Sequence, residues 1–291
     1  MNKRITLKIA KIKDEIKDIK TFSFKYKLNA KPGQFIMLTD FEGGEKPFSI
    51  SDCTKDEFSI TIKKIGEFTS RLFQKDVGDL VSIRGAFGSS FFISNGKVLL
   101  VGGGYAVPTF YFFSKILLES GANITLINGA RTKDELLFVE KFGKLGINLI
   151  NTTDDGTFGE KGTSVDIARK LLVSKLQQNQ LVSKPQLGDN SRFHPATAGW
   201  KRENVDKFDF IYASGPEMMM KALQGVIGEI EYEFLFERYM KCAIGICGSC
   251  TVDPLGIRLC VEGPVLPKKI VEQLTEFGKY HRDASGKRIL Y

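Results

Sequence analysis

Lys97-Val98-Leu99-Leu100-Val101-Gly102-Gly103-Gly104-Tyr105-Ala106-Val107-Pro108 is the stretch whose reading decides the fold. A short continuous apolar run suits a strand buried on both faces, three glycines end it, and a helical pattern runs on to Ser120. In that context glycines let a backbone approach a dinucleotide phosphate or ribose at the C-terminal edge of a sheet. The same alternation continues downstream. Residues 124–127 and 147–150 read as buried strands around a helix-like 134–145; 165–173 reads as a helix, 208–213 as a strand and 217–227 as a helix. A parallel sheet with helices on both faces is therefore predicted over 96–235. The pattern lapses over 174–207, a stretch rich in Gln, Asn, Ser and Lys that includes Pro185, Pro195 and Trp200. It reads as an insertion, with a partner-docking arm anchored by Trp200 as the alternative.

Upstream, residues 1–95 follow a different rule. Ile5, Leu7 and Ile9 alternate with polar neighbours, as do Phe22, Phe24 and Tyr26, and then Phe58, Ile60 and Ile62. Breaks at Pro32-Gly33, Gly43-Gly44 and Gly78-Asp79 separate the runs, so a small antiparallel barrel or sandwich is predicted. Downstream, residues 236–291 hold four of the five cysteines in the frame Cys242-x4-Cys247-x2-Cys250-x9-Cys260, followed by a basic tail. The first three follow plant-type ferredoxin spacing, in which a loop wraps a [2Fe–2S] cluster and a fourth ligand arrives later. Small residues between them let backbone N–H groups turn toward sulfur. A four-cysteine zinc site usually takes two Cys-x2-Cys knuckles, and only one is present. Disulfides would need an oxidising compartment, and Met-Asn-Lys-Arg opens the chain without a signal-type apolar stretch. Cys53 reads as a small buried hydrophobe.

Composition narrows the classes further. The chain has 291 residues, 42% of them hydrophobic, with 23 phenylalanines, which suits filled cores and excludes a disordered chain. No apolar run is long enough to span a bilayer, so neither a membrane nor, without a basic stripe interleaved with aromatics, nucleic acid is an expected partner. The net charge of +8 is scattered along the chain and reads as solvated surface, with a docking face for an acidic partner as the alternative. Clustered reduced cysteines point to a cytoplasmic redox protein.

The three segments, with Lys46-Pro47-Phe48-Ser49-Ile50-Ser51, resemble the ferredoxin–NADP reductase superfamily. Its FAD barrel carries an Arg-Pro-aromatic-Ser motif, with the cation at the pyrophosphate and the serine by the flavin ring. Lys46 replaces the usual arginine and cannot grip phosphate bidentately. Residues 62–69, Ile62-Lys63-Lys64-Ile65-Gly66-Glu67-Phe68-Thr69, resemble the second FAD segment. There Thr69 is expected as the N-cap of a helix facing the pyrophosphate, and Phe68 stands where glycine is common. Gly85-Ala86-Phe87-Gly88 resembles the turn that closes the barrel. Gly103 and Gly104, in a Gly-Gly-Gly-x-Gly-x-x-Pro turn with Ala106 for the fourth glycine, Arg131 after the next strand, and Ser214-Gly215-Pro216 in a Cys-Gly-Pro-like turn imply NAD(H) binding. The Ala106 methyl is expected to narrow the nicotinamide cleft. A purely structural strand-to-helix turn is the alternative for each of these segments.

Glu237-Arg238-Tyr239-Met240-Lys241-Cys242, Cys260-Val261-Glu262-Gly263-Pro264-Val265 and Thr153-Asp154-Asp155-Gly156-Thr157-Phe158-Gly159 look like the electron-transfer subunit of two-subunit (type B) dihydroorotate dehydrogenases. That resemblance implies FAD held by Lys46, Pro47, Phe48, Ser49, Ile62, Lys63, Lys64, Phe68 and Thr69, and a cluster held by the four cysteines. It also implies a partner subunit with FMN, in a heterotetramer of pyrimidine biosynthesis. Electrons from dihydroorotate would pass singly through the cluster to FAD and leave as a hydride to NAD+, and no catalytic side chain is expected in this chain. The same layout occurs in small subunits of NADH-dependent ferredoxin:NADP oxidoreductases and gamma subunits of cytoplasmic hydrogenases. A non-enzymatic zinc protein is the reading from another class, and a colourless preparation would mark it.

Overall fold

The computed structural model describes residues 3–173 and 208–291, so the segment around Trp200 lies outside the described residues. The first part of the chain forms β1 (Ile5–Lys8), β2 (Lys11–Ile16), β3 (Ile19–Lys25), β4 (Phe35–Thr39), β5 (Glu45–Cys53), β6 (Glu57–Lys63), α1 (Glu67–Leu72) and β7 (Leu80–Phe87). Its strands make one antiparallel sheet in the order β1-β7-β4-β5-β6-β3-β2. Because side chains alternate across a strand, Phe22, Phe24, Phe58, Ile60 and Ile62 enter a single core with Ile36, Leu38 and Ile83. Register shifts at Phe35/Ile36 on β4 and at Ile50/Asp52 on β5 curl the sheet into a half-barrel.

A second sheet follows, built from β8 (Lys97–Gly103), α2 (Thr109–Glu119), β9 (Asn123–Ala130), α3 (Val139–Gly143), β10 (Asn148–Thr153), β11 (Glu160–Lys161), α4 (Ser164–Val173), β12 (Phe210–Ser214), α5 (Glu217–Ile227) and β13 (Glu231–Leu235). The remaining elements are β14 (Thr251–Val252), β15 (Ile257–Arg258), β16 (Val265–Pro267), α6 (Lys268–Val271), β17 (Tyr280–Arg282) and β18 (Arg288–Leu290). Strand order is β11-β10-β9-β8-β12-β13-β16, with every pairing parallel except the edge strand β16. Val98, Leu99, Leu100 and Val101 are all fully buried, as a central strand covered on both faces requires.

One expected helix is broken. Residues 134–145 give a single 3-10 turn at Lys133–Glu135 and then only α3. Leu136 is extended, and Phe138 takes a left-handed φ of 58°. Leu136, Leu137 and Phe138 are consecutive and all buried, which one stripe of a helix cannot provide.

Residues 242–260, which carry the four cysteines, have little regular structure of their own, only the two-residue strands β14 and β15 paired to each other. Its order comes from outside. Ala243, Cys250, Val252, Leu259 and Cys260 belong to the same core as Val101, Phe234 and Leu266 of the parallel sheet, and Phe35 and Met37 of the half-barrel. No helix among the described residues is long and apolar enough to cross a membrane.

Candidate functional site

A cavity of about 500 Å³ lies between the half-barrel and the C-terminal edge of the parallel sheet. That is within the ordinary range for sites that hold a small ligand or cofactor. β5 supplies Pro47, Phe48 and Ser49 to one wall, and β6 supplies Thr61, Ile62 and Lys63. The opposite wall is Tyr105, Pro108 and Thr109 from the glycine-rich turn. The floor is residues 236–240, the link between β13 and Cys242. Apolar side chains interspersed with hydroxyls, the Lys63 ammonium and the charged Glu237, Arg282 and Asp283 suit a flavin dinucleotide, whose ring needs apolar cover and whose edge needs hydrogen bonds.

Of the residues expected around FAD, Pro47, Phe48, Ser49, Ile62, Lys63 and Thr69 line this cavity; Lys46, Lys64 and Phe68 do not. The Lys46 ammonium sits 5.3 Å from the centre of the Tyr239 ring, and that of Lys64 6.0 Å from the Phe73 ring. Phe68 is buried beside Phe48, with ring centres 6.1 Å apart, so the bulk that replaces glycine props the cavity wall from behind. Thr69 is not the N-cap. Gly66 is, and α1 starts at Glu67, two residues before Thr69. The Thr69 hydroxyl accepts the N–H groups of Ile65 (2.9 Å) and Gly66 (3.1 Å), turning back on the helix start as the third residue of a capping box does.

The nucleotide turns meet at the ends of β8 and β12. A Cβ on Gly103 would lie 2.5 Å from Met219 Sδ, and one on Gly215 would lie 2.7 Å from Met219 Cε and 3.2 Å from Gly103 Cα. The Gly103 backbone is the tight neighbour at Gly215, so the two turns approach closely there, whereas Gly103 meets chiefly the flexible end of Met219; Pro216 caps α5 behind them. Gly104, with φ of 58°, has nothing within 4 Å and leaves open space at the edge. Arg131 is engaged bidentately by Glu135, at 2.9 and 2.6 Å. Ala106 is buried at 2% exposure and is not among the residues that line the cavity. Its carbonyl is used instead, accepting the Thr109 hydroxyl at 2.8 Å.

The four cysteines are free thiols and approach one another two by two. The Cys242 thiol meets that of Cys247, and the Cys250 thiol meets that of Cys260. No set of three or more His, Cys, Asp or Glu side chains among the described residues gathers around a single ion position. Two pairs suit a two-iron cluster, which takes two thiolates on each iron, better than one tetrahedral zinc. Ala243, Gly245 and Gly248 take left-handed φ values of 59°, 77° and 72°, which turn successive N–H groups inward. Those of Ile244 and Cys247 each point at Cys242 Sγ from 3.5 Å. Burial opposes ionisation of Cys242, but these N–H groups outweigh it and hold the thiol at about 6. Cys260, more deeply buried and beside Cys250, is pushed up to about 12.

Several cavity residues had no role in the sequence reading. Glu237 and Tyr105 hydrogen-bond to each other, and their exposed surface opens into the cavity. Burial raises the Glu237 carboxyl above its usual range. Arg238, from the same motif, is buried between two carboxylates, with Nε 2.7 Å from Glu217 Oε2 and Nη1 2.8 Å from Glu276 Oε1. The β17–β18 hairpin, read only as a basic tail, contributes His281, Arg282 and Asp283 to the wall. Its anchors are remote in sequence: Arg282 on Asp253 at 2.6 Å and the Tyr291 hydroxyl on Glu217 at 2.7 Å. The Glu-Arg-x-Met pattern ahead of Cys242 is the sequence signal for the floor, and it points only toward the cysteines.

Comparison with known proteins agrees with this layout. Residues 237–272 match the family described as the iron–sulfur cluster binding domain of dihydroorotate dehydrogenase B. A probable dihydroorotate dehydrogenase B (NAD(+)), electron transfer subunit, from Methanocaldococcus jannaschii is 37% identical over 293 residues, covering 100% of both chains. A protein of the same description from Methanothermobacter thermautotrophicus is 35% identical, covering 99% of this chain and 98% of its own. The solved structure of an NADH-dependent reduced ferredoxin–NADP oxidoreductase superposes with a TM-score of 0.73 at 28% identity, over 95% of each chain. The ferredoxin reductase of carbazole 1,9a-dioxygenase, at 17% identity and a TM-score of 0.59, covers 78% of this chain and 66% of its own, and shares the fold. Likeness of this degree along the whole chain makes the protein a member of the electron-transfer subunit family of dihydroorotate dehydrogenase B.

Proposed function

We propose that this chain binds FAD, a [2Fe–2S] cluster and NAD(H), and carries electrons from a partner subunit that oxidises dihydroorotate with FMN to NAD+. The observation that carries this reading is that one cavity is bounded at once by the half-barrel, the glycine-rich turn and the segment leading into Cys242. A flavin held there would stand between the glycine-rich turn and the segment that leads into the first cluster ligand. FAD, when bound, would supply the change from one-electron exchange with a cluster to hydride exchange with nicotinamide.

The residues of this chain bind, orient and shield. Pro47, Phe48, Ser49, Ile62, Lys63 and Thr69 form the flavin wall, with Lys46, Lys64 and Phe68 behind or beside it. Gly103, Gly104, Gly215 and Pro216 shape the edge at which nicotinamide meets the flavin, and Arg131 reaches nucleotide phosphate by exchanging Glu135 for it. Cys242, Cys247, Cys250 and Cys260 ligate the cluster. On this reading 1–95 is the FAD unit, 96–235 the NAD unit and 236–291 the cluster unit. The complex is a cytoplasmic heterotetramer. The likeness to an NADH-dependent ferredoxin–NADP oxidoreductase favours one rival, in which the partner carries a different acceptor.

The purified protein should show flavin absorption and, after reduction, the paramagnetic signal of a [2Fe–2S] cluster. Cys247→Ser should remove most of that signal while FAD stays bound, because Cys247 is no part of the cavity wall. Zinc in place of iron in the wild type would overturn the relay. Dihydroorotate-dependent NAD+ reduction by the complex with its native partner separates this reading from the ferredoxin-linked one.

A further inference from the structure

The cluster loop is held by two arginines of different origin. Arg258 acts locally: its Nη1 donates to the Gly245 carbonyl at 3.0 Å while Glu262 pairs with its head group. Arg84 comes from β7 of the half-barrel. Its Nη2 donates to the Cys242 carbonyl at 3.1 Å, and its Nε to Glu45 Oε1 at 2.9 Å, with a second contact to Glu45 Oε2. Glu45 is itself fixed, by Arg4 at 3.2 Å and the Thr39 hydroxyl at 3.4 Å. It also stands at the start of β5, directly before Lys46 and the cavity-lining Pro47, Phe48 and Ser49. The Arg84 side chain is only 13% exposed and lies over the Phe87 ring at 5.5 Å.

We propose that Arg84 is a positioning residue for electron transfer, a bracket that fixes the first cluster ligand against the strand walling the flavin cavity. The inference rests on the reading above, since it needs both a flavin and a cluster. Its physical basis is the planar fork of a guanidinium, which serves a carboxylate and a carbonyl at once in fixed directions. Lysine supplies the charge without the fork. Groups of this kind, one bond removed from a ligand, orient it and tune the metal. The positive charge also favours the reduced, more negative cluster.

Arg84→Met and Arg84→Lys separate the two contributions. FAD content reports the fold, and the reduced-cluster resonance, its midpoint potential and its rate of reduction by NADH in the isolated subunit report the bracket. Arg84→Met should keep FAD, broaden the resonance, move the midpoint to more negative potential and slow cluster reduction by about tenfold or more. Arg84→Lys should restore the midpoint but not the line shape or the rate. Wild-type line shape and rate in Arg84→Met would overturn the proposal. Should Arg84→Met lose FAD because Glu45 is left unpaired, the double variant Arg84→Met/Glu45→Gln removes the stranded charge. A broadened resonance in that variant supports the bracket, and a wild-type one overturns it. Absence of any [2Fe–2S] resonance in the wild type would instead defeat the function reading.

Discussion

Glu233 shows how one side chain sets a condition on the whole protein. It sits on β13 with its Oε2 accepting the Phe92 N–H at 2.8 Å, and burial pushes its carboxyl up to about 7 from an ordinary 4.5 despite that bond. Between those two values the folded state holds a proton that the unfolded state has released. Stability from this group is therefore complete below about pH 4.5 and is lost as pH rises through about 7. The span of roughly 2.5 pH units corresponds to at most about 3.4 kcal/mol. Glu233→Gln keeps the acceptor and removes the titration, so urea unfolding should find the variant about 1–3 kcal/mol more stable relative to wild type at pH 8 than at pH 5. Parallel pH profiles would show that Glu233 titrates as an exposed carboxylate does. Nothing in the local sequence marks this residue: Glu231 and Glu233 share a strand and a residue type, and only tertiary packing makes one exposed and the other buried. Thr69 teaches the same limit from the other side, since its hydroxyl does serve a helix start but from the third position and not the cap.

At the scale of elements, Arg238 is the tie between α5, the link into the cysteines and the terminal hairpin. It is 6% exposed and pairs with Glu217, at the N-terminus of α5, and with Glu276. Glu217 also accepts the Gly278 N–H at 2.9 Å and the Tyr291 hydroxyl, and Glu276 accepts the Asp253 N–H at 3.1 Å. Removing this cation strands two buried carboxylates, so Arg238→Leu should cost about 3–5 kcal/mol of stability. Thermal unfolding measures it, and a loss under about 1 kcal/mol would mean that water reaches the pair. Elements whose order comes from periodic burial were legible in the sequence. The period-two strands around Phe22 and Phe58, the apolar run at Val98 and helix α5 appear where the pattern puts them. The hairpin at β17 and β18 was not, because its position depends on Asp253 and Glu217, far away in the chain. The helix expected over 134–145 failed because three successive residues are drawn into the core at once.

On the scale of the whole molecule, the cluster loop faces outward at one point. Ile246 is 81% exposed and Val261 44%, whereas Ile244 is half-buried against the loop. An apolar tip beside the cysteines suits the centre of a subunit contact. Ile246→Glu should therefore abolish binding of the partner and dihydroorotate-dependent NAD+ reduction, while NADH oxidation with an artificial dye continues. Loss of the dye reaction as well would mean a damaged fold, and an intact complex would put the contact elsewhere. The core beneath that loop draws on all three parts of the chain, with Phe35 and Met37 from the half-barrel, Val101 and Phe234 from the parallel sheet, and Leu259 and Cys260 from the cysteine segment. Residues that bury one another must change together, because a volume altered on one side leaves a gap or a clash on the other. Recombination that joined the first half of one relative to the second half of another would bring together surfaces fitted to different neighbours. A chimera joined across this core should therefore unfold at a lower temperature than either parent unless the residues that face one another are exchanged together.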